Sequence, residues 1–296
     1  MMRHFVALPG NLRGAILMSI GALAVTAEIL FTRWMSERGI PVTTQLLARS
    51  LGQVVWIMPA LAASGLIIFR TRRLVLHLVR GLSSASTWVL YFLSFALLDL
   101  ATATVLSFTN VMFSTLAAGP VLGERVTAAR WAGTLAGFAG VAIMLRPGTD
   151  IPLGGAAVAI AAALCWCGIT LSSRALTRTE STRSVMAWVG LVTTLCAIPL
   201  AIIFWQPISI TDAMILTAFG LTTPVILLLL TEAFRAGEAS AVAPFQYLRL
   251  PIVMLAGWLI FAETPDATAW VGAAIILVGA AIITIAETRP GSQVGR

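Results

Sequence analysis

Long apolar runs alternate with short polar breaks along the whole chain. A bilayer-crossing helix needs about 20 mostly apolar residues. Ten such stretches are present, at roughly 14–32, 43–69, 81–98, 101–122, 128–146, 152–173, 184–205, 211–233, 240–261 and 268–287. The breaks, such as "RWMSERGIP", "RPGTDIP" and "RALTRTESTR", carry the charges and the Gly and Pro residues that interrupt helices. None is long enough to form a soluble domain. The pattern predicts an all-α integral membrane protein of ten transmembrane helices.

The apolar and polar positions also repeat. Gly81 matches Gly220, Phe95 matches Phe234, Asp99 matches Glu238, Glu124 matches Glu263, Trp131 matches Trp270, Gly133 matches Gly272 and Gly140 matches Gly279, each pair 139 residues apart. This predicts a duplication, with a first five-helix repeat over 1–148 and a second over 149–296. Five spans is an odd number, so the second repeat enters the membrane from the opposite side. The expected architecture is two inverted-topology repeats around a central cavity, the arrangement from which alternating-access transporters are built.

Composition agrees. The chain of 296 residues is 59% hydrophobic and 10% charged, against about 25% charged for a soluble domain, so lipid is its solvent. The net charge of +7 does not point to nucleic acid: all 19 basic residues are Arg and none lies in a long basic run. With the N-terminus inside, 14 Arg fall on the cytoplasmic side and 3 outside, which predicts cytoplasmic termini. Cys165, Cys167 and Cys196 all lie in apolar segments, and packing is their expected role. His4 and His77 are the only histidines and both read as cytoplasmic connector residues. No metal cluster, catalytic dyad or phosphate loop is visible, so neither an enzyme nor a cofactor is expected.

Five-plus-five helices, an Arg in span 2 ("LLARSLG"), and the paired "LGERVTAARWAGTLAGFAGVAIM" and "FAETPDATAWVGAAIILVGAAII" resemble the EamA-type transporters of the drug/metabolite transporter superfamily. The resemblance covers essentially the whole chain. It implies the EamA fold, a ten-helix basket whose cavity opens to one side at a time. Within the superfamily the chain is similar to the YddG-like exporters of amino acids.

Polar residues at bilayer depth are the candidates for substrate binding, because they are costly there and face the bundle interior. Glu28 in span 1 suits a proton or a substrate ammonium, or else a structural pair with Arg33 or Arg49. Arg49 is expected chiefly to tie helices together. In "SAVAPFQYLRLPIVM" (240–254), Pro244 and Pro251 interrupt the helix, and Gln246, Tyr247 and Arg249 cluster between them. Arg249 suits a substrate carboxylate, or else pairs with Glu232, Glu238 or backbone carbonyls. It aligns with Asn110, which places both at one depth. Trp88, Tyr91 and Trp166 sit mid-span, away from the interfacial level, and either stack on a substrate or pack the core. Glu124 and Glu263 are expected to cap the helices bearing Trp131 and Trp270 and to serve as gate elements rather than ligands.

The expected function is a multi-pass inner-membrane transporter that exports small organic metabolites, amino acids including aromatic ones foremost. Its partners would be that small molecule and membrane lipid, with no nucleic acid, and a monomer or homodimer as the assembly. The alternatives are an exporter of lipophilic cations or drugs, which would need an unpaired buried Glu, and a non-transporting scaffold or channel subunit.

Overall fold

The computed structural model of the protein describes residues 8–98, 100–147, 151–261 and 265–288. Its helices are α1 (Gly10–Glu37), α2 (Val42–Ser64), α3 (Leu74–Leu97), α4 (Leu100–Leu122), α5 (Ala128–Leu145), α6 (Leu153–Thr177), α7 (Thr182–Ile203), α8 (Ile210–Ala236), α9 (Ala239–Val242), α10 (Arg249–Phe261) and α11 (Ala267–Thr288). Two 3-10 turns, Gly65–Phe69 and Ala243–Leu248, extend α2 and join α9 to α10. Asp99 and Glu263 lie outside the described residues, as do the structural roles expected of them.

Eight helices among the described residues are long and apolar enough to cross a membrane alone. Of the two remaining expected spans, one is more polar and the other is broken into short pieces. One is α3, which carries His77, Arg80, Ser83, Ser84, Ser86 and Thr87. The other is the stretch from α9 to α10, divided by the 3-10 turn that holds Pro244. Pro251 is the third residue of α10, where a missing N–H costs no helix bond.

Exposure runs opposite to that of a soluble protein: Leu153 and Ile210 are 88% and 82% exposed, while Glu28 and Arg80 are 6% and 4%. Apolar side chains facing outward need lipid around them, and the polar groups turn inward.

The halves interlock. α2 packs on α7 and α8, α3 on α6 and α7, α1 on α8, and α4 on α6. The largest contact joins α5 to α11, and it is reciprocal. A Cβ on Gly140 would stand 2.7 Å from the Gly272 carbonyl oxygen, and one on Gly279 2.8 Å from that of Gly133. Gly140 and Gly279 are repeat equivalents, as are Gly133 and Gly272. The contact is therefore self-complementary, as a two-fold axis between the repeats requires. A Cβ on either Gly52 or Gly220, where α2 crosses α8, would collide with the facing backbone. Only glycine permits helices this close.

The N-caps correct one expectation. Thr127, not Glu124, caps α5: its hydroxyl accepts from the Arg130 amide at 3.4 Å. The equivalent position in the second repeat, Asp266, accepts from the Ala269 amide at 2.8 Å and caps α11. Glu124 lies three residues before its own helix and turns to a distant one. Its carboxylate accepts the amides of Ala239 and Ser240 at 2.9 and 3.1 Å, so it caps α9, whose first-turn donors would otherwise be unpaired.

Candidate functional site

A cavity lies at the middle of the bundle, walled by α1, α2, α3, α6, α7 and α8, with about 770 Å³ of empty volume including its mouth. Glu28 and Arg49 meet across it, Oε1 to Nε at 2.7 Å. Arg49 also lies over the Trp88 ring, 4.3 Å from its centroid. Trp166 comes from α6 to within 6.4 Å of Trp88, ring centre to ring centre, at a 45° tilt. The pair thus forms an angled aromatic wall with a cation on one face.

Ser50, Ser84, Thr87, Thr193 and Thr223 supply hydroxyls to the same wall. Several are held by their own helices: Thr87 donates to the Ser83 carbonyl at 2.7 Å and Thr193 to that of Val189 at 2.6 Å. Such bonds to the preceding turn keep a hydroxyl satisfied while leaving its oxygen able to accept. Gln53 lines the cavity as well, and its Oε1 has no partner among the described residues.

Of the residues expected at the site, Glu28, Trp88 and Trp166 line this cavity. Arg249 reaches it from behind: its guanidinium lies 5.4 Å from the Trp166 ring centre and 4.7 Å from that of Phe108. Tyr91 is half-buried on α3 and is not among the residues lining the cavity. Asn110 is buried on α4, where its Nδ2 donates to the Ser107 carbonyl at 2.8 Å and its Oδ1 has no partner among the described residues. Gln246 is half-buried in the 3-10 turn. Tyr247 is buried against Gly137, with its hydroxyl 3.5 Å from the Phe108 carbonyl, its repeat-equivalent residue 139 positions earlier. These last three are not among the residues lining the cavity. Glu28 pairs with Arg49, and Glu232 and Glu238 bind other groups, leaving Arg249 without a carboxylate among the described residues.

Arg80 is the residue that sequence reasoning missed. It reads as the last charge of the connector "RTRRLVLHLVR" when α3 is taken to begin at 81. The helix begins at Leu74, so Arg80 and His77 lie within it. The signal was present in the spacing: Arg80, Ser84, Thr87 and Tyr91 are four, three and four apart, one continuous helix face. On that face Arg80 lines the cavity and donates from Nε to Ser173 Oγ at 2.6 Å and from Nη1 to Ser84.

One end of the bundle is closed by charge. Buried Glu124 receives Arg174 Nε at 3.2 Å and Arg178 Nη2 at 3.6 Å in addition to the two α9 amides. Beside it, Arg130 pairs with Glu238 and with Glu287 (2.8 Å) and donates to Ser240 Oγ at 2.8 Å. Asn11 joins this group, donating to Glu287 at 2.5 Å and accepting the Glu238 amide at 2.9 Å. Three carboxylates and three guanidiniums balance there. No group of three or more His, Cys, Asp or Glu residues is placed to hold a metal ion among the described residues.

The family described as "EamA-like transporter family" matches residues 12–146 and 153–285. A riboflavin transporter of Rhizobium johnstonii is 33% identical over 279 residues, covering 93% of this chain and 92% of that protein. An S-adenosylmethionine uptake transporter of Rickettsia bellii is 30% identical over 240 residues, covering 80% and 81%. A solved crystal structure, 22% identical, superposes with a TM-score of 0.78 over 93% of this chain and 99% of the other, and so shares the fold. The paired halves, the reciprocal α5–α11 contact and the central cavity agree with these matches: the chain is a multi-pass membrane transporter belonging to the EamA-like transporter family of the drug/metabolite transporter superfamily.

Proposed function

We propose that the protein carries a planar heteroaromatic metabolite of the flavin kind across the bacterial inner membrane, by alternating access of the central cavity. The observation that carries this reading is the angled Trp88–Trp166 wall, backed by Arg49 and set among hydroxyls. Such a surface takes a flat ring on its aromatic face and hydrogen-bonding edges at its rim. The riboflavin transporter at 33% identity supports the same class of cargo. Glu28 and Arg49 neutralise one another, so the cavity can pass between membrane faces without moving their net charge.

Amino acid export is the second reading, supported by the guanidinium of Arg249 against Trp166. A lipophilic-cation exporter has less support, because Glu28 is paired rather than free. The excess of Arg on one face supports cytoplasmic termini.

Counterflow in proteoliposomes tests the reading. Labelled riboflavin should exchange saturably against the unlabelled compound. Trp166→Ala should weaken half-saturation by about tenfold or more, since stacking a base on an aromatic side chain is worth ~1–3 kcal/mol. Saturable exchange of tryptophan or phenylalanine with no competition by any flavin would replace this reading with the second. A cysteine at Asp266 labelled only from the cytoplasm would reverse the orientation.

A further inference from the structure

The geometry points to Arg80 as an anion-recognising residue, so that the cargo carries a carboxylate or phosphate at some distance from its ring. This rests on the aromatic-cargo reading above and narrows it. The argument begins with charge. The described acidic side chains are committed elsewhere: Glu28 to Arg49, Glu124 to Arg174 and Arg178, Glu238 and Glu287 to Arg130, Asp212 to Arg38, Asp266 to Arg146, Glu232 to Arg235, and Glu180 to the Thr71 hydroxyl. The cavity wall holds Glu28, Arg49 and Arg80, one negative and two positive charges. Among the described residues, Arg80 is the one on this wall without a carboxylate partner.

Its two hydrogen-bonding partners, Ser173 and Ser84, are neutral. They fix the guanidinium by Nε and Nη1, and Nη2 has no hydrogen-bond partner among the described residues. At 4% exposure the side chain is nearly withdrawn from solvent. A buried guanidinium without a counter-charge is costly and stays protonated. It is therefore poised to gain strongly from an anionic oxygen delivered by the cargo, through a charge-assisted hydrogen bond.

Spacing sets the shape of that cargo. Arg80 and Trp88 are eight residues apart on α3, which is about 12 Å along a helix axis. Because Arg80 Nη1 bonds Ser84, one turn further along α3, an anion at the guanidinium stands roughly one helical turn from a ring stacked on Trp88. A flat ring bearing an acidic group on a side chain that spans about one helical turn fits.

Purified protein titrated with riboflavin, with riboflavin 5′-phosphate, and with a flavin bearing a carboxylate on a chain of similar length reads this directly, through quenching of flavin fluorescence. The wild type is expected to bind at least one acidic flavin about tenfold or more tighter than riboflavin, as a charge-assisted bond to a buried cation implies. The acidic compound that shows the preference tells phosphate from carboxylate. Arg80→Gln should bring the ratio below about threefold, and Arg80→Lys should retain part of it. Ser173→Ala, which frees Nε, should reduce it and serves as the readout should Arg80→Gln fail to fold. Equal binding of all three flavins by the wild type overturns the role of Arg80 but leaves the flavin reading standing. A preference that survives both Arg80→Gln and Ser173→Ala overturns it as well. Absence of binding by all three overturns both.

Discussion

At one end of the bundle the Glu124 carboxylate is wholly buried and receives two guanidiniums and two amides. At the other end Arg38 and Asp212 meet at 2.9 Å with their side chains 42% and 16% exposed. Arg146 and Asp266 pair there at 3.1 Å with 60% and 53% exposed. The first end joins α1, α5, α6, α9 and α11 through side chains that are each bonded to several partners. The second holds two separate pairs in water or headgroups. Exposed pairs are worth about 0–1 kcal/mol, whereas removing one member of a buried cluster costs ~3–5 kcal/mol because the other is stranded. The difference bears on which end would part more readily under the proposed alternating access. Parting the Glu124 end would separate six balanced charges, whereas at the Arg38 end it would separate exposed ion pairs and an apolar cluster of Met35, Ile40, Leu216 and Phe219.

The largest test of that contrast is Glu124→Ala. It strands Arg174 and Arg178 and leaves the Ala239 and Ser240 amides unpaired. A loss of ~3–5 kcal/mol is expected, read as a fall in Tm on the order of 10 °C in detergent, together with faster cysteine labelling along α9. A change of under about 2 °C, close to what an exposed pair gives, would remove the distinction between the two ends.

The α5–α11 seam provides the symmetric reference against which the unequal ends stand out. Gly140→Ala and Gly279→Ala each push a methyl against the facing carbonyl, at 2.7 and 2.8 Å. Each should cost about 1–3 kcal/mol, and because the positions are repeat equivalents the two losses should agree within about 1 kcal/mol. A large loss at one position and none at the other would show that the two-fold relation does not extend to energetics.

Much of this architecture was legible in the sequence because it rests on properties that a linear pattern records. Apolar length sets the spans, and the matched glycines 133/272 and 140/279 mark the α5–α11 seam. Glu28, Trp88 and Trp166 were legible for a related reason: an ionisable or aromatic residue at mid-span has few reasons to be there. Arg80 was not, since an arginine near the start of a span reads as a cytoplasmic anchor. Only the docking of α6 on α3 brings Ser173 to its Nε. Glu124 was misread because capping is ordinarily local, whereas its acceptors face amides more than a hundred residues away. Tertiary partners of this kind leave no spacing to detect.

Substitution at the weaker end should have a smaller effect. Arg38→Ala and Asp212→Ala are each expected to change stability by under about 1 kcal/mol, with a double-mutant coupling that shrinks as salt rises. A coupling above ~2 kcal/mol would mean that this pair is itself a lock, and the contrast between the ends would close.

The smallest effect expected concerns the two caps, Thr127 and Asp266, which occupy the same place in the two repeats but differ in chemistry. The Ala269 amide and the Thr268 hydroxyl, donating to Asp266 Oδ1 at 2.8 and 2.9 Å, hold its carboxyl below the usual carboxylate range, with Arg146 adding a little. The sign follows. A carboxyl whose folded value is depressed contributes its stability above the unfolded value, near 3.9, and loses it as pH falls through the folded value. The α11 cap should therefore weaken only below about pH 4, while the Thr127 cap of α5 has no such dependence. Amide protection factors, corrected for intrinsic exchange, should stay level at Ala269 down to about pH 4 and fall below it, and stay level throughout at Arg130. Asp266→Thr, which gives the second repeat the residue of the first, should flatten the Ala269 profile. If wild-type Ala269 stays level below about pH 4 as well, the carboxylate is not the group holding α11, and the difference between the two caps is one of sequence alone.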